Sequence, residues 1–525
     1  MEIKDIILEI WPKVRQKHCF PQIPVPEVTD GTEDTALEIK SKQLYVSKPF
    51  CQKLAHTMPT ADIVEAVLDH GTAHYMYCPW DFHTYLSLYN SAKKIVKRKD
   101  VAERTTSTFM DVVSDTYCVK EKNTKLPSLY RNLPKYGVRG VLALLYEHIW
   151  GIDMGCTQQD ERVTRLSRIP YLERRQWNDS IRKFAKIMQK AIEQEIEEER
   201  RHATSENNPM GQHSLQNYSL EEIDQGVKEF ASSVQDLQEF KETVEDFKDE
   251  LEEQGYGSQG MGRGAGTPID VNLLYYMKMA ENYTLPIRKL PLETTGDLHP
   301  HSHTPWELGR PIADIDVWTS FGKIMPGITQ VWTKRQGETF GDLEGTPDCL
   351  VIIDSSGSMI NPRERLSHAV LGAACVCNAY LKSGSRVAAY NFSDAFRGNK
   401  IITDFNYDKQ QLYQSICRYF GGGTALDLED IKYLVNQAET PDIFVITDMQ
   451  ITNLETLIGF FNKIDNRVTA VHLGHNVHSA RFHHATSARP KMSIFNVQNK
   501  EDIPKIILGQ IREYFSSPSP WNRMG

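Results

Sequence analysis

One short segment in the last third of the chain combines a buried strand with a group of oxygen ligands. The apolar run Cys349–Ile353 is typical of a buried strand, and the D-x-S-x-S motif Asp354–Ser358 follows it directly. A strand that ends in this way places the carboxylate of Asp354 and the hydroxyls of Ser356 and Ser358 around a common point. Ligation by oxygen alone suits Mg²⁺, Mn²⁺ or Ca²⁺ and does not suit zinc. The segment therefore predicts a site for a hard cation at the end of a strand.

Two further oxygen donors recur in the order that such a site requires. Thr424 follows the glycine turn Gly421–Gly423, and Asp448 follows a second apolar run, Ile443–Thr447. The alternative interpretation of D-x-S-x-S is a strand-to-helix turn with an N-cap residue. Because three separate pieces occur in order, the sequence favours the metal site over a turn alone.

Apolar runs alternate with helical patterns throughout this part of the chain. The predicted strands are Cys349–Ile353, Arg386–Phe392, Ile443–Thr447, Arg467–Leu473 and Ser493–Val497. Between the first two, residues 363–382 have apolar side chains near helical spacing. This alternation predicts an α/β domain with a doubly wound, mostly parallel sheet. Ligands bind such sheets at the carboxyl ends of the strands, and both Asp354 and Asp448 lie at such ends.

These residues resemble the metal-ion-dependent adhesion site of von Willebrand factor A (VWA) domains. The likeness covers roughly residues 348–515. It implies that Ser356, Ser358 and Thr424 contact a Mg²⁺ ion directly, and that Asp354 and Asp448 act directly or through water. It also implies that a carboxylate from a partner protein fills the remaining coordination position.

A second constellation lies near the N-terminus. Residues 61–76 are predicted to form an amphipathic helix in which His70 and His74 are four residues apart, so both imidazoles share one face and can reach one metal. A later helical segment carries Asp111 and Asp115 at the same spacing. The alternatives are a pair of half-buried histidines with hydrogen-bond partners, and a solvated helix face for the two aspartates.

Together these residues resemble the active site of zinc peptidases of the H-E-x-x-H class. The resemblance implies that His70, His74 and Asp111 ligate Zn²⁺ and that Asp115 orients a histidine. However, Gly71 occupies the position of the glutamate that serves as general base in that class. The sequence therefore leaves open whether this part of the chain is a disabled, metal-holding scaffold or an enzyme.

Length and composition bound the rest of the molecule. A chain of 525 residues suggests several domains. We expect a metallopeptidase-like, mainly helical domain (1–170), an acidic helical region with a flexible linker (171–266), a connecting segment that packs on the VWA domain (267–345) and the VWA domain itself (346–516). The net charge of −9 gives no reason to expect nucleic-acid binding. We expect no membrane span, no disulfide framework among the nine cysteines, and a cytoplasmic location.

Two functional hypotheses follow. A peptidase-like domain before a VWA domain is similar to prokaryotic proteins that work beside MoxR-type AAA+ ATPases. The first hypothesis is an adaptor that binds an acidic residue of a protein partner through Mg²⁺, and the expected partner is such an ATPase or its client. The second is a zinc peptidase that uses His70, His74 and Asp111 with a non-standard base. The complete oxygen site and the incomplete peptidase motif favour the adaptor.

Overall fold

Helices dominate the first half of the chain, and a mixed sheet dominates the last third. The computed structural model describes residues 2–157, 159–202, 213–234, 236–256, 269–283, 298–307, 315–316, 320, 324–336, 347–473, 476–486, 489, 491–497 and 502. The α-helices are α1 (Ile3–Lys17), α2 (Lys48–Leu54), α3 (Thr60–Met76), α4 (Phe82–Val96), α5 (Lys99–Lys122), α6 (Leu126–Asn132), α7 (Gly137–Trp150), α8 (Glu161–Leu166), α9 (Trp177–His202), α10 (Leu220–Ser233), α11 (Leu237–Asp246), α12 (Lys248–Glu253), α13 (Val271–Tyr283), α14 (His368–Lys382), α15 (Lys409–Ile416), α16 (Leu428–Val435), α17 (Leu454–Phe461) and α18 (Val477–Thr486). The strands are β1 (Glu27–Thr29), β2 (Leu37–Lys40), β3 (Gln43–Ser47), β4 (Leu298–Pro305), β5 (Gln330–Gln336), β6 (Cys349–Asp354), β7 (Val387–Phe392), β8 (Lys400–Asn406), β9 (Asp442–Thr447), β10 (Val468–Leu473) and β11 (Met492–Val497).

The C-terminal sheet has six strands in the order β11-β10-β9-β6-β7-β8. All neighbouring strands are parallel except β7 and β8, which are antiparallel. The mostly parallel sheet is therefore confirmed, and the five predicted strands are all present. Strand β8 was not predicted, because it lies at the sheet edge and only Thr403 in it is buried. An edge strand of this kind lacks the continuous apolar run of a strand covered on both faces.

Helices cover both faces of this sheet. Leu350 and Ile352 of β6 face the apolar core that includes Leu457 of α17 and Phe482 of α18. The alternate residues of β6, such as Val351, face the opposite core, which includes helix α14. Burial on both faces explains why β6, β7 and β9 consist of buried residues throughout.

The strand order contains a topological switch point. After β6 the chain passes to β7 and β8 on one side, whereas after β9 it passes to β10 and β11 on the other. Because β6 and β9 are direct parallel neighbours, their carboxyl ends lie side by side while their following loops diverge. Such a point leaves a crevice in which doubly wound proteins bind ligands.

In the N-terminal part, helix α3 is a central element. It packs against α1, α2, α5, α6 and the small sheet in which β3 lies between β1 and β2. The predicted amphipathic pattern is wrong in detail, since ten of the eleven residues from Val64 to His74 are buried and only Glu65 is partly exposed. A helix enclosed by neighbours on all sides has no solvent face to keep polar.

Helix α13 connects the N-terminal helices with the C-terminal sheet, since it packs on both α10 and α14. The buried hydroxyl of Tyr276 in α13 accepts a hydrogen bond from the backbone N–H of Ser367 at 2.9 Å and lies 3.2 Å from the carbonyl oxygen of Pro362. Helix α14 begins at His368, five residues later than predicted, because Ser367 is its N-cap and Tyr276 holds the preceding turn.

Within the part of the chain that the structure describes, none of the helices combines the length and the apolar character needed to cross a bilayer. All nine cysteines lie in that part, and each has a free thiol.

We expect Tyr276→Phe to destabilise the contact between α13 and the C-terminal domain. The substitution leaves the buried Ser367 N–H without its acceptor, which typically reduces stability by about 1–3 kcal/mol. A lower midpoint of urea unfolding would confirm this. Tyr407→Phe is the matched control, because Tyr407 is 62% exposed and its loss of a hydroxyl should leave the midpoint unchanged.

Candidate metal centres

The first candidate centre lies at the switch point of the C-terminal sheet. Asp354 is the last residue of β6; its Oδ1 accepts a hydrogen bond from the Ser356 N–H at 2.8 Å, and its Oδ2 accepts one from the Thr447 hydroxyl at 2.7 Å. These two bonds fix the orientation of the carboxylate. The hydroxyl oxygens of Ser356 and Ser358 are 3.2 Å apart, within hydrogen-bond distance of each other.

The glycine turn that precedes Thr424 is held directly against the D-x-S-x-S turn. The Gly357 N–H donates to the carbonyl of Gly422 at 3.0 Å, and the Gly421 N–H donates to the carbonyl of Ser355 at 2.9 Å. Gly421 and Gly422 have φ angles of 69° and 87°, which favour glycine. The hydroxyl of Ser393, at the end of the neighbouring strand, donates to the Gly423 carbonyl at 2.7 Å. This role of Ser393 was not predicted from the sequence.

Asp448 directly follows β9 and is buried beside Asp354. Its Oδ1 accepts a hydrogen bond from the Gln450 N–H at 2.9 Å. Burial raises the pKa of Asp354, and the negative charge of Asp448 adds to this effect, although hydrogen bonds from Thr447 and Ser356 oppose it. Two buried carboxylates at one crevice, with hydroxyls beside them, form a donor set that fits Mg²⁺, Mn²⁺ or Ca²⁺.

The second candidate centre lies between α3 and α5. His70 Nε2 and His74 Nε2 are 3.0 Å apart, and Asp111 Oδ1 lies 3.4 Å from His74 Nε2 and 3.9 Å from His70 Nε2. All three side chains are buried, and together they form a group that could hold a metal ion. Ligands about 2.0–2.2 Å from a tetrahedral zinc lie about 3.3–3.6 Å from one another, so the spacing is close to that of a zinc site.

The hydrogen bonds of the Nδ1 atoms of His70 and His74 determine which ring nitrogens carry a proton and which can bind a metal. His70 Nδ1 lies 2.7 Å from Asp115 Oδ1, and His74 Nδ1 lies 2.7 Å from the carbonyl oxygen of Cys78. Both partners are acceptors, so both Nδ1 atoms carry protons. In the neutral rings the two Nε2 lone pairs therefore point at each other, and a cation or a shared proton must lie between them. This convergence of two lone pairs and a carboxylate oxygen fits a bound metal ion.

The pKa values of these groups follow from burial and from their charged neighbours. Burial and the positive charges of His213 and His70 lower the pKa of His74 to about 3, against an opposing effect of Asp111. Burial would lower the pKa of His70 as well, but Asp115 and Asp111 raise it above the ordinary value. Burial would raise the pKa of Asp111, but hydrogen bonds with His213 and His74 lower it.

Asp115 is fully buried and has three partners. Besides His70, it accepts hydrogen bonds from the hydroxyls of Tyr130 at 2.5 Å and Tyr146 at 2.9 Å. The solvated-face alternative for Asp111 and Asp115 is therefore wrong. The sequence did not reveal the two tyrosines, which come from α6 and α7, because nothing in their spacing relates them to α5.

The packing around α3 explains why a residue without a side chain, Gly71, stands at this position. A Cβ atom at this position would lie 2.6 Å from Leu37 Cδ2 and 3.2 Å from Leu44 Cδ2, so the small sheet packs where the peptidase glutamate would begin. The other acidic groups on this helix have partners elsewhere: Lys17 binds both Asp69 and Glu65. Asp81 and His83, which follow the helix and are further candidates for a base, bind Thr84 N–H and Ser233 respectively.

Comparisons with known proteins add little to this geometry. No protein-family model matches the chain, and no curated protein matches it significantly. Among solved structures, the crystal structure of the SpRpn10 VWA domain aligns with 31% of this chain and 94% of its own, at 12% identity and a TM-score of 0.25. The strand order and the switch point define the C-terminal part as a doubly wound, mixed α/β domain independently of that similarity.

We expect Gly71→Ala and Gly459→Ala to change stability in opposite directions. Both glycines lie inside helices, where alanine is favoured by about 1 kcal/mol. No heavy atom lies within 4 Å of a Cβ at Gly459, whereas a Cβ at Gly71 would lie 2.6 Å from Leu37 Cδ2. Leu37 is buried and would have to shift, and overpacking typically costs about 1–3 kcal/mol. The urea midpoint should therefore rise for Gly459→Ala and fall for Gly71→Ala. A rise for both would contradict the packing argument.

We expect Asp115→Asn to weaken the binding of added Zn²⁺ by about 10–100-fold, because His70 loses the charged acceptor of its Nδ1 proton. Titration against a chromogenic chelator measures this affinity. Asp69→Asn is the control, since Asp69 is equally buried on α3 but binds Lys17 and His18. An equal loss in both variants would indicate general destabilisation of the helix pair and not an effect on the ligand.

Proposed function

We propose that this protein is a divalent-metal-dependent, protein-binding adaptor whose C-terminal domain binds a partner carboxylate through Mg²⁺. In this proposal the domain is a VWA domain, and Asp354, Ser356, Ser358, Thr424 and Asp448 form its adhesion site. Mn²⁺ or Ca²⁺ fits the same donors. The observation that carries the proposal is the placement of Asp354 and Asp448 side by side at the switch point, with the paired serine hydroxyls beside them.

The accessibility of these residues supports binding to a macromolecule. Asp354 and Ser356 are 2% and 0% exposed, whereas Ser358 is exposed and Thr424 is partly exposed. A cation held at the base of this crevice would keep one side open toward solvent. Mg²⁺ usually retains open or water-filled positions, and a carboxylate from another protein suits such a position.

The partner that we propose is an AAA+ ATPase of the MoxR type, or a client of such an ATPase. Support for this part comes from the order of the two domains in the sequence. The packing of α13 on both α10 and α14 joins the helical part to the sheet domain.

A second candidate function is zinc-dependent peptide hydrolysis at His70, His74 and Asp111. The converging imidazoles favour a metal there. Leu37 and Leu44 pack against the position of the missing base, however, and the acidic residues nearby on α3 are paired with Lys17. These contacts favour the adaptor over the peptidase.

Adjacent serines provide a sharp test of the sheet site. Ser356 and Ser358 face the proposed metal, whereas the hydroxyl of Ser355 donates to the Phe392 carbonyl at 3.2 Å. We expect Ser356→Ala or Asp354→Ala to lower Mn²⁺ affinity, measured by calorimetry, by at least about 10-fold. We expect Ser355→Ala to retain the affinity of the unmodified protein.

Partner binding is tested by affinity capture from native lysate in Mg²⁺ and in EDTA. The proposal predicts that proteins recovered in Mg²⁺, including an AAA+ ATPase, are lost in EDTA and with Asp354→Ala or Thr424→Ala, but not with Ser355→Ala. Recovery of the same proteins in both buffers would show that binding does not involve the metal. Loss in EDTA alone, with the variants still binding, would place the relevant metal elsewhere.

A further inference from the structure

A third histidine approaches the N-terminal metal centre from a distant part of the chain. His213 lies just before the turn Leu215–Asn217 that leads into α10. This turn is anchored on the small sheet, because the Ser41 N–H donates to the Gln216 carbonyl at 3.0 Å and Leu215 is buried. The position of His213 next to α3 and α5 is therefore fixed by contacts of its own segment.

The imidazole of His213 contacts two of the three candidate ligands. Its Nε2 lies 3.2 Å from Asp111 Oδ1, and its ring packs edge-to-face on His74 with the centroids 4.2 Å apart. The side chain is only 5% exposed. Asp111 Oδ1 thus has three imidazole nitrogens around it, at 3.2, 3.4 and 3.9 Å.

We infer that His213 is the fourth protein ligand of a zinc ion held by His70, His74 and Asp111. Zinc in a hydrolytic centre keeps one position open for water, whereas zinc in a structural centre has four protein ligands. The donor atoms of His70, His74 and Asp111 lie within 4.8 Å of one another, and His213 would join them by moving its ring from Asp111 toward His70. Three imidazoles and one carboxylate would then fill all four positions of a tetrahedral zinc and leave none for a water nucleophile. The centre then joins α3, α5 and the segment that leads into α10.

The two described cavities that reach this centre are small. The described cavity beside His74, lined by Trp80 and Tyr218 among others, holds about 20 Å³, and the one beside Asp111 holds about 40 Å³. A single water molecule needs roughly 10–15 Å³ of such volume. These two cavities have room for one to a few waters beside the four side chains.

A purely hydrogen-bonded cluster is the competing explanation. In that case His70 is an imidazolium that shares its Nε2 proton with His74, and His213 donates a hydrogen bond to Asp111. The two explanations differ in what happens when the His213 imidazole is removed. Only the metal-ligand explanation predicts a change in the affinity and the coordination geometry of a bound metal.

The test uses the full-length chain with Zn²⁺ and Co²⁺ as probes, in excess Mg²⁺ so that the sheet site is saturated. His213→Gln keeps a hydrogen-bond donor for Asp111 but removes the imidazole ligand. His83→Gln is the control, because His83 lies on α4 and its Nε2 contacts Ser233 at 3.2 Å. We expect one zinc per chain in the unmodified protein, an affinity at least about 10-fold lower in His213→Gln, and no change in His83→Gln.

The visible spectrum of the Co²⁺ form gives a second readout. Tetrahedral Co²⁺ absorbs much more strongly than five- or six-coordinate Co²⁺. We expect an intense spectrum for the unmodified protein and, for His213→Gln, bands that differ in position and intensity, because water replaces an imidazole nitrogen. An unchanged affinity and spectrum in His213→Gln would overturn the inference, as would the absence of zinc from the unmodified protein. If His213→Gln fails to fold, a weak spectrum of the unmodified protein would overturn the inference. An intense spectrum that stays constant between about pH 6 and about pH 9 would support it, because a metal-bound water loses a proton in that range whereas four protein ligands leave no bound water.

Discussion

The parallel pairing of β6 with β9 is the contact on which the C-terminal domain depends. Each strand is buried on both faces, so the pair supplies apolar side chains to the helices on either side of the sheet. The same pairing brings Asp354 and Asp448 together, because Asp354 is the last residue of β6 and Asp448 directly follows β9 at the same end of the sheet. Two negatively charged carboxylates repel each other in a buried crevice. This repulsion destabilises the end of the sheet unless a cation or a proton offsets the charge.

The second centre also contains buried carboxylates, but imidazoles and tyrosine hydroxyls surround them there. It is enclosed by apolar helices, so each polar group there needs a partner inside the protein. Asp115 obtains three, from His70, Tyr130 and Tyr146, and Asp111 lies among three imidazoles. The first centre offers oxygen donors and the second mainly imidazole nitrogens, so the two donor sets favour different classes of metal.

Part of this structure was predictable because it depends on local patterns. Strands that are covered on both faces form continuous apolar runs, so β6, β7 and β9 were identified, whereas the edge strand β8 was not. Histidines or aspartates four residues apart share a helix face, so the pairs on α3 and α5 were recognised as single groups. Helix α14 was predicted to start too early, because Tyr276 comes from a helix about ninety residues away.

The sequence by itself determined the chemical types of the two centres: D-x-S-x-S with a later threonine and aspartate, and two histidines with two aspartates. Only the tertiary structure decided their surroundings. It placed Leu37 and Leu44 against Gly71, so that a side chain at this position would have to displace them, and it brought His213 to Asp111 across 102 residues of chain. Contacts of this kind have no sequence period, since they arise from the packing of elements whose separation along the chain is arbitrary.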